Sequence, residues 1–135
     1  MTRVEAWYDP DQEEAVPLTG QPDVDALLDR MLAEATQENV RVQADLHYRS
    51  DDGEAILQVG MGSDTGFVGY INDTDRVISS NGTTDPGDVS FDYMTHERVV
   101  PATSLVSITA VRQVVHTFTQ SPLTRPQGPI TWVAV

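Results

Sequence analysis

Three histidines are the side chains best suited to catalysis or metal binding in this sequence. His47, His96 and His116 lie far apart, in a predicted strand, a predicted loop and a predicted helix. No two of them have the i, i+4 spacing that places two ligands on one helix face, and the chain has no Cys to supply a thiolate. We therefore expect no catalytic residue, no cofactor and no metal ion. A histidine–carboxylate site assembled by the fold is the alternative.

The glycine-rich stretch 60–66 has some features of a phosphate-binding loop. It lacks both the Lys of a P-loop and the G-x-G-x-x-G spacing, and a predicted strand follows it instead of a helix. A hairpin turn is the better interpretation. Asp73 and Asp75 would suit calcium, but the later ligand positions of an EF-hand loop are missing. A binding function is therefore favoured over catalysis.

The charge of the chain is strongly negative and unevenly distributed. There are 21 Asp and Glu residues against 8 basic residues, all of them Arg, and the formal net charge is -13. All 21 acids lie within residues 1–98, whereas residues 99–135 hold two Arg and no acid. A small domain with this field repels nucleic acid and anionic membranes and attracts basic proteins.

Many of the acids fall in predicted turns. Nine acids and a single base, Arg76, lie between residues 51 and 92. Because the turns of a meander collect at the two ends of a sheet, we expect these carboxylates to form patches that steer a basic partner. Salt adaptation or genome composition is the alternative explanation of the acidity.

The elements that must position these residues follow from apolar periodicity. Helical spacing predicts one helix over 22–38, beginning at Pro22, and a second over 107–118, with Ser107 as its N-cap. The stretches 9–20 and 81–88 are expected to be loops. Alternation of apolar and polar residues, or short apolar runs, predict strands over 4–8, 40–49, 55–61, 67–71, 77–80, 89–93 and 130–135.

This order of elements indicates one α+β domain over residues 1–135. We expect an antiparallel β-meander of about five to seven strands with two helices packed on one face. A chain of 135 residues is long enough for a single core. The N-terminal residues show no apolar signal-peptide region, and no apolar run approaches the ~20 residues that span a bilayer. A cytoplasmic protein is therefore expected.

Short motifs spread over most of the chain support a resemblance. They are Ala6-Trp7-Tyr8, a first helix over 24–32, a Gly-rich strand over 66–70, Ser79-Ser80-Asn81-Gly82, Phe91-Asp92-Tyr93, Pro101, a second helix over 107–118, Thr124-Arg125-Pro126 and Ile130-Thr131-Trp132. Together they resemble a family of bacterial immunity proteins, the first-numbered Imm family. These proteins accompany polymorphic toxins, often ones with a nucleic-acid deaminase domain. The chain departs from the family at Val77 and Ile78, where an aromatic residue often precedes the serine pair.

The resemblance implies an immunity protein that binds and inhibits a cognate toxin. The toxin would be a nucleic-acid-targeting deaminase or nuclease, and the acidic surface would occlude its basic substrate groove. The protein would be a monomer that forms a 1:1 complex and binds neither nucleic acid nor membrane. The predicted partner-binding residues are Asp64, Asp73, Asp75, Asn81, Asp85, Asp88 and Tyr93.

Two other classes of function are compatible with the composition. A small-ligand-binding or enzymatic domain would need a pocket on the sheet face, with His47 or His96 beside buried carboxylates. An adaptor for a secretion system would use the same acidic surface. A toxin gene beside the gene for this chain would favour immunity over both.

Overall fold

The computed structural model describes residues 4–135, so the first three residues of the predicted domain lie outside the described part. The helices are α1 (Gln21–Glu38) and α2 (Ile108–Gln120), and a 3-10 turn spans Ala102–Ser104. The strands are β1 (Val4–Trp7), β2 (Val16–Leu18), β3 (Val42–Ser50), β4 (Gly53–Met61), β5 (Thr65–Asn72), β6 (Arg76–Ser80), β7 (Asp88–Tyr93), β8 (His96–Pro101), β9 (Val106–Ser107) and β10 (Thr131–Ala134). None of the helices in this part of the chain is long and apolar enough to cross a membrane.

Helix α1 forms where the apolar spacing predicts it. Pro22 lies in the first turn, where backbone N–H groups have no partner within the helix, so the N–H that proline lacks is not needed. Asn39 ends the helix in the left-handed conformation, with φ of 53°, and its N–H donates to the carbonyl of Ala35. The buried stripe consists of Val24, Leu28, Met31 and Ala35.

Helix α2 begins at the predicted N-cap. The Ser107 hydroxyl accepts a hydrogen bond of 3.1 Å from the backbone N–H of Ala110. The β-branched residues of α2 are poor helix formers, so burial of one face must hold the helix in place. That face consists of Ala110, Val111, Val114, Val115 and Phe118.

Within residues 4–135, ten strands form one sheet, more than the five to seven expected. The strand order is β10-β6-β5-β4-β3-β1-β2, with β9 paired to β5 and the β7–β8 hairpin attached through a single parallel bridge to β3. All other pairs are antiparallel. The α+β fold is confirmed. Strands β2, β8 and β9 were not expected, and His96 lies at the start of β8 instead of in a loop.

The two faces of the sheet are covered differently. Both helices pack on one face, where Tyr70 and Phe118 meet edge to face at 6.1 Å between ring centroids. On the other face the β7–β8 hairpin covers part of the sheet through Phe91, whose ring lies 4.9 Å from that of Phe67. Gly60 makes room for this contact, because a Cβ there would collide with Phe67 and lie 2.9 Å from Phe91.

The antiparallel register gathers the turns at two opposite ends of the sheet. One end, here the Asp73 end, holds the β3–β4 and β5–β6 turns with the carboxylates Asp51, Asp52, Glu54, Asp73 and Asp75. The opposite end, the Asp64 end, holds the β4–β5 turn and the β6–β7 loop with Asp64, Asn81, Asp85 and Asp88. The acidic turns therefore form two separate groups.

Candidate partner-binding surface

Three of the five acids of α1, namely Asp25, Asp29 and Glu34, lie in ion pairs with arginines. Arg30 lies 2.7 Å from Glu34 and 2.8 Å from Asp9. Its guanidinium lowers the pKa of the Asp9 carboxyl. Arg112 of α2 lies 2.8 Å from Asp29. Part of the negative charge on the helix side of the molecule is therefore compensated by these two arginines.

Most carboxylates of the strand turns have no such compensation. Glu54 pairs with Arg49. Within the described residues 4–135, the ion pairs involve none of Asp51, Asp52, Asp64, Asp73, Asp75, Asp85 and Asp88. Within the described residues, uncompensated carboxylates therefore lie at the two ends of the sheet, where a partner can reach them, and also at Asp11, Glu13, Glu14, Asp23 and Glu38 in and before the first helix.

The two turns at the Asp73 end lie against each other. Asp73 Oδ2 lies 3.6 Å from the position that a Cβ on Gly53 would occupy. The side chain of Asn72 orders the β5–β6 turn, because its Oδ1 accepts hydrogen bonds from the backbone N–H groups of Thr74 at 2.9 Å and Asp75 at 2.7 Å. The carboxylates are therefore presented from ordered turns.

A depression of about 310 Å³ lies beside these turns. Ile56 and Ile71 face each other across β4 and β5, and His47 lies opposite Ile56 on β3. Both isoleucines are half-buried and line the depression. The exposed residues Glu54 and Asp73 lie at its rim together with Arg49, which pairs with Glu54. The geometry suits a side chain with an apolar stem and a positive end.

At the Asp64 end, a groove of about 540 Å³ runs past the N-terminus of α2 and is lined by Asp64, Asn81 and Ser107. The amide of Asn81 is already engaged within the chain. It donates to the Ala102 carbonyl at 3.2 Å and accepts from the Thr83 hydroxyl at 2.6 Å. Asn81 therefore ties the β6–β7 loop to the 3-10 turn.

Asp85 and Asp88 belong to the same β6–β7 region and are both exposed. Asp85 Oδ1 accepts a hydrogen bond of 2.8 Å from the backbone N–H of Gly87, which closes a local turn. Asp88 opens β7, opposite Pro101 of β8. These two carboxylates extend the Asp64 end towards the hairpin.

Tyr93 lies at neither end. It hydrogen-bonds to Asp45 of β3 beneath the β7–β8 hairpin, and burial together with that carboxylate raises the pKa of the tyrosine to about 12. Burial also raises the pKa of Asp45, although Gln43 donates a hydrogen bond of 2.9 Å to it. The Tyr93 hydroxyl is therefore occupied inside the chain.

The seven predicted partner-binding residues thus occupy three places. Asp73 and Asp75 lie together, and Asp64, Asn81, Asp85 and Asp88 share the opposite end. Ile56 and Ile71 were not among the predicted residues. Their signal in the sequence is weak, because two half-buried isoleucines become a shared surface only once the register of β4 and β5 is known.

The three histidines lie on three different elements of the fold. His47 lies on β3 and His96 on β8, while His116 Nε2 lies 2.9 Å from Asp25 on the helix side. The described residues contain no cluster of three His, Asp or Glu side chains arranged to hold a metal ion. The glycine-rich stretch is a hairpin turn, closed by a 2.8 Å bond from Gly62 N–H to the Thr65 carbonyl.

Comparison with known proteins finds a family whose sequence model matches this chain. The sequence model described as "Immunity protein Imm1" matches residues 12–134, which is nearly the whole chain. The curated proteins with which the chain was compared include no match.

Proposed function

The chain belongs to the Imm1 immunity protein family, and from this premise we propose that it neutralises a toxin that acts on nucleic acid. The toxin is a deaminase or a nuclease, and it meets this protein in the cytoplasm. The acidic turns cover its basic substrate groove and exclude the substrate. The carboxylates of the strand turns that lack basic partners carry this proposal.

Charge complementarity supports a toxin of this class. A protein that binds DNA or RNA must place Lys and Arg along the path of the phosphates. A net charge of -13 attracts such a groove over a distance and accelerates the encounter. The same charge keeps the protein away from the nucleic acid itself.

Inhibition of this kind needs no catalytic group and no cofactor. It needs a rigid surface that fits the partner, with a few anchors and complementary charge. The large sheet supplies the rigidity, and turns ordered by Asn72 and Asn81 present the carboxylates. Differences in turn sequence would let related immunity proteins distinguish related toxins.

The experiment mixes the purified protein with the toxin domain encoded beside its gene. Size-exclusion chromatography with light scattering should show a 1:1 complex, and one equivalent of the protein should abolish the action of the toxin on DNA or RNA. Absence of a complex at micromolar concentration and low salt would overturn the proposal.

A further inference from the structure

We propose that the toxin docks on the Asp73 end and places an arginine side chain in the depression beside it. The aliphatic stem of that arginine lies on Ile56 and Ile71, and its guanidinium pairs with Asp73 and shares Glu54 with Arg49 of this chain. This inference rests on the proposed function and adds to it the face of the molecule and the kind of anchor.

The apolar floor is the first observation that carries the inference. Ile56 and Ile71 belong to neither of the two core clusters. They lie on the sheet face opposite the helices, and the hairpin covers that face around Phe67 and Ile78 instead. A small apolar area ringed by charged groups is the usual anatomy of an interface hot spot.

Charge complementarity identifies the occupant. The five carboxylates of the Asp73 end outnumber the three arginines in the region, Arg49, Arg76 and Arg125. A second copy of this chain would bring another -13 charges and be repelled. A cationic partner is attracted instead. Arginine fits better than lysine, because its planar fork bonds carboxylates through two N–H groups and its weakly hydrated head packs on apolar surface.

The Asp64 end fits a cationic anchor less well. Its groove runs along the N-terminus of α2, where free N–H groups and the helix dipole favour an anion. The amide of Asn81 is engaged within the loop. Three carboxylates at that end, Asp64, Asp85 and Asp88, therefore add to the long-range field without forming a pocket for a positive side chain.

Two sets of variants separate the two ends. Asp73→Asn with Asp75→Asn removes two carboxylates of the Asp73 end that lie in no ion pair of the described residues, with nearly unchanged shape, and Ile71→Lys places a positive charge on the floor. The matched control is Asp64→Asn with Asp85→Asn, which removes the same number of charges from the opposite end. Affinity for the toxin domain encoded beside the gene is measured by calorimetry at ~0.15 M salt, where remote surface charges are largely screened. Thermal unfolding checks that each variant is folded.

We expect both Asp73-end variants to bind at least about tenfold more weakly, and the control to change affinity by less than about threefold. Hydrogen exchange on the unmodified protein gives a second readout that needs no variant. Binding should slow exchange in residues 49–56 and 69–76 more than in 62–65 and 81–88.

The outcomes distinguish the two proposals. If the wild-type protein forms no complex, the proposed function fails and this inference fails with it. If the complex forms but the control weakens it more, or if protection falls at the Asp64 end, the inference alone is wrong.

Discussion

Arg112 Nη2 lies 2.8 Å from Asp29 Oδ1, so a base from the acid-free C-terminal part of the chain neutralises an acid of the first helix. The same nitrogen lies 3.6 Å from Asp25. Together with Arg30 on the other side of α1, this arrangement pairs Asp25, Asp29 and Glu34 with bases. The strand turns are one source of the negative field, and the remaining acids of residues 9–38 are another.

Replacing Arg112 with Gln should leave Asp25 and Asp29 of α1 without this arginine and should have little effect on the fold. The guanidinium is partly exposed and Asp29 is 69% exposed, so the loss should be below about 1 kcal/mol of unfolding free energy. Urea denaturation measures the loss of unfolding free energy, with Arg49→Gln as a control for an ion pair at the Asp73 end of the sheet. A loss above about 2 kcal/mol would mean that the helix pairing is a major stabilising contact.

Replacing Ser79 with Ala should destabilise the protein more strongly than the adjacent Ser80→Ala. The Ser79 hydroxyl is buried, accepts from Val68 N–H at 3.2 Å and donates to the Ser104 carbonyl at 2.7 Å. Removing it leaves two buried backbone groups without a partner and should cost about 1–3 kcal/mol. Ser80 is less buried than Ser79. Its hydroxyl accepts a hydrogen bond from the backbone N–H of Gly82, an exposed residue. Equal midpoints for the two variants in urea would contradict the assigned hydrogen bonds.

Gly60→Ala should disrupt the packing of the hairpin on the sheet. The added Cβ collides with Phe67 and approaches Phe91 to 2.9 Å, which should cost about 1–3 kcal/mol. Gly20→Ala is the control, because its nearest neighbour, Pro22, lies at 3.6 Å. Thermal unfolding measures both. A Gly60→Ala variant as stable as the wild type would show that the two rings do not meet over Gly60.

Tyr93 should make stability depend on alkaline pH. Burial and Asp45 raise its pKa to about 12 in the folded protein, whereas an unfolded tyrosine titrates near 10. The folded state keeps a proton that the unfolded state has lost, so stability from this group is complete below about pH 10 and is lost as the pH rises towards 12. Ultraviolet titration of wild type and Tyr93→Phe should differ by one phenol that titrates near 12. If the phenol that the Tyr93→Phe substitution removes titrates near 10 in the wild type, the interaction of Tyr93 with Asp45 is contradicted.

The regular elements could be predicted from the sequence because their periodicity is strong. Helix α1 shows its stripe from Val24 to Ala35, and β3 alternates over nine residues. Strand β2 is three residues long and contains Pro17, so it has the sequence pattern of a loop. Strand β8 begins with three polar residues, His96, Glu97 and Arg98, and forms because β7 pairs with it along its whole length.

The geometry of the candidate surface could be predicted only in part, for a related reason. Turn carboxylates such as Asp73 are visible in the sequence, and their collection at sheet ends follows from a meander. Contacts across strands depend on register, which local patterns do not specify. Tyr93 is one consequence, since a predicted anchor bonds to Asp45 inside the chain. The pairing of Ile56 with Ile71 is another.

If this protein covers the nucleic-acid groove of its toxin, it must compete with nucleic acid for the toxin. A catalytically inactive form of the toxin domain encoded beside the gene is bound to a fluorescent single-stranded oligonucleotide, and this protein is then added while anisotropy is recorded. One equivalent of this protein should release the oligonucleotide completely. A ternary complex, in which the toxin binds this protein and keeps the oligonucleotide with unchanged affinity, would contradict it.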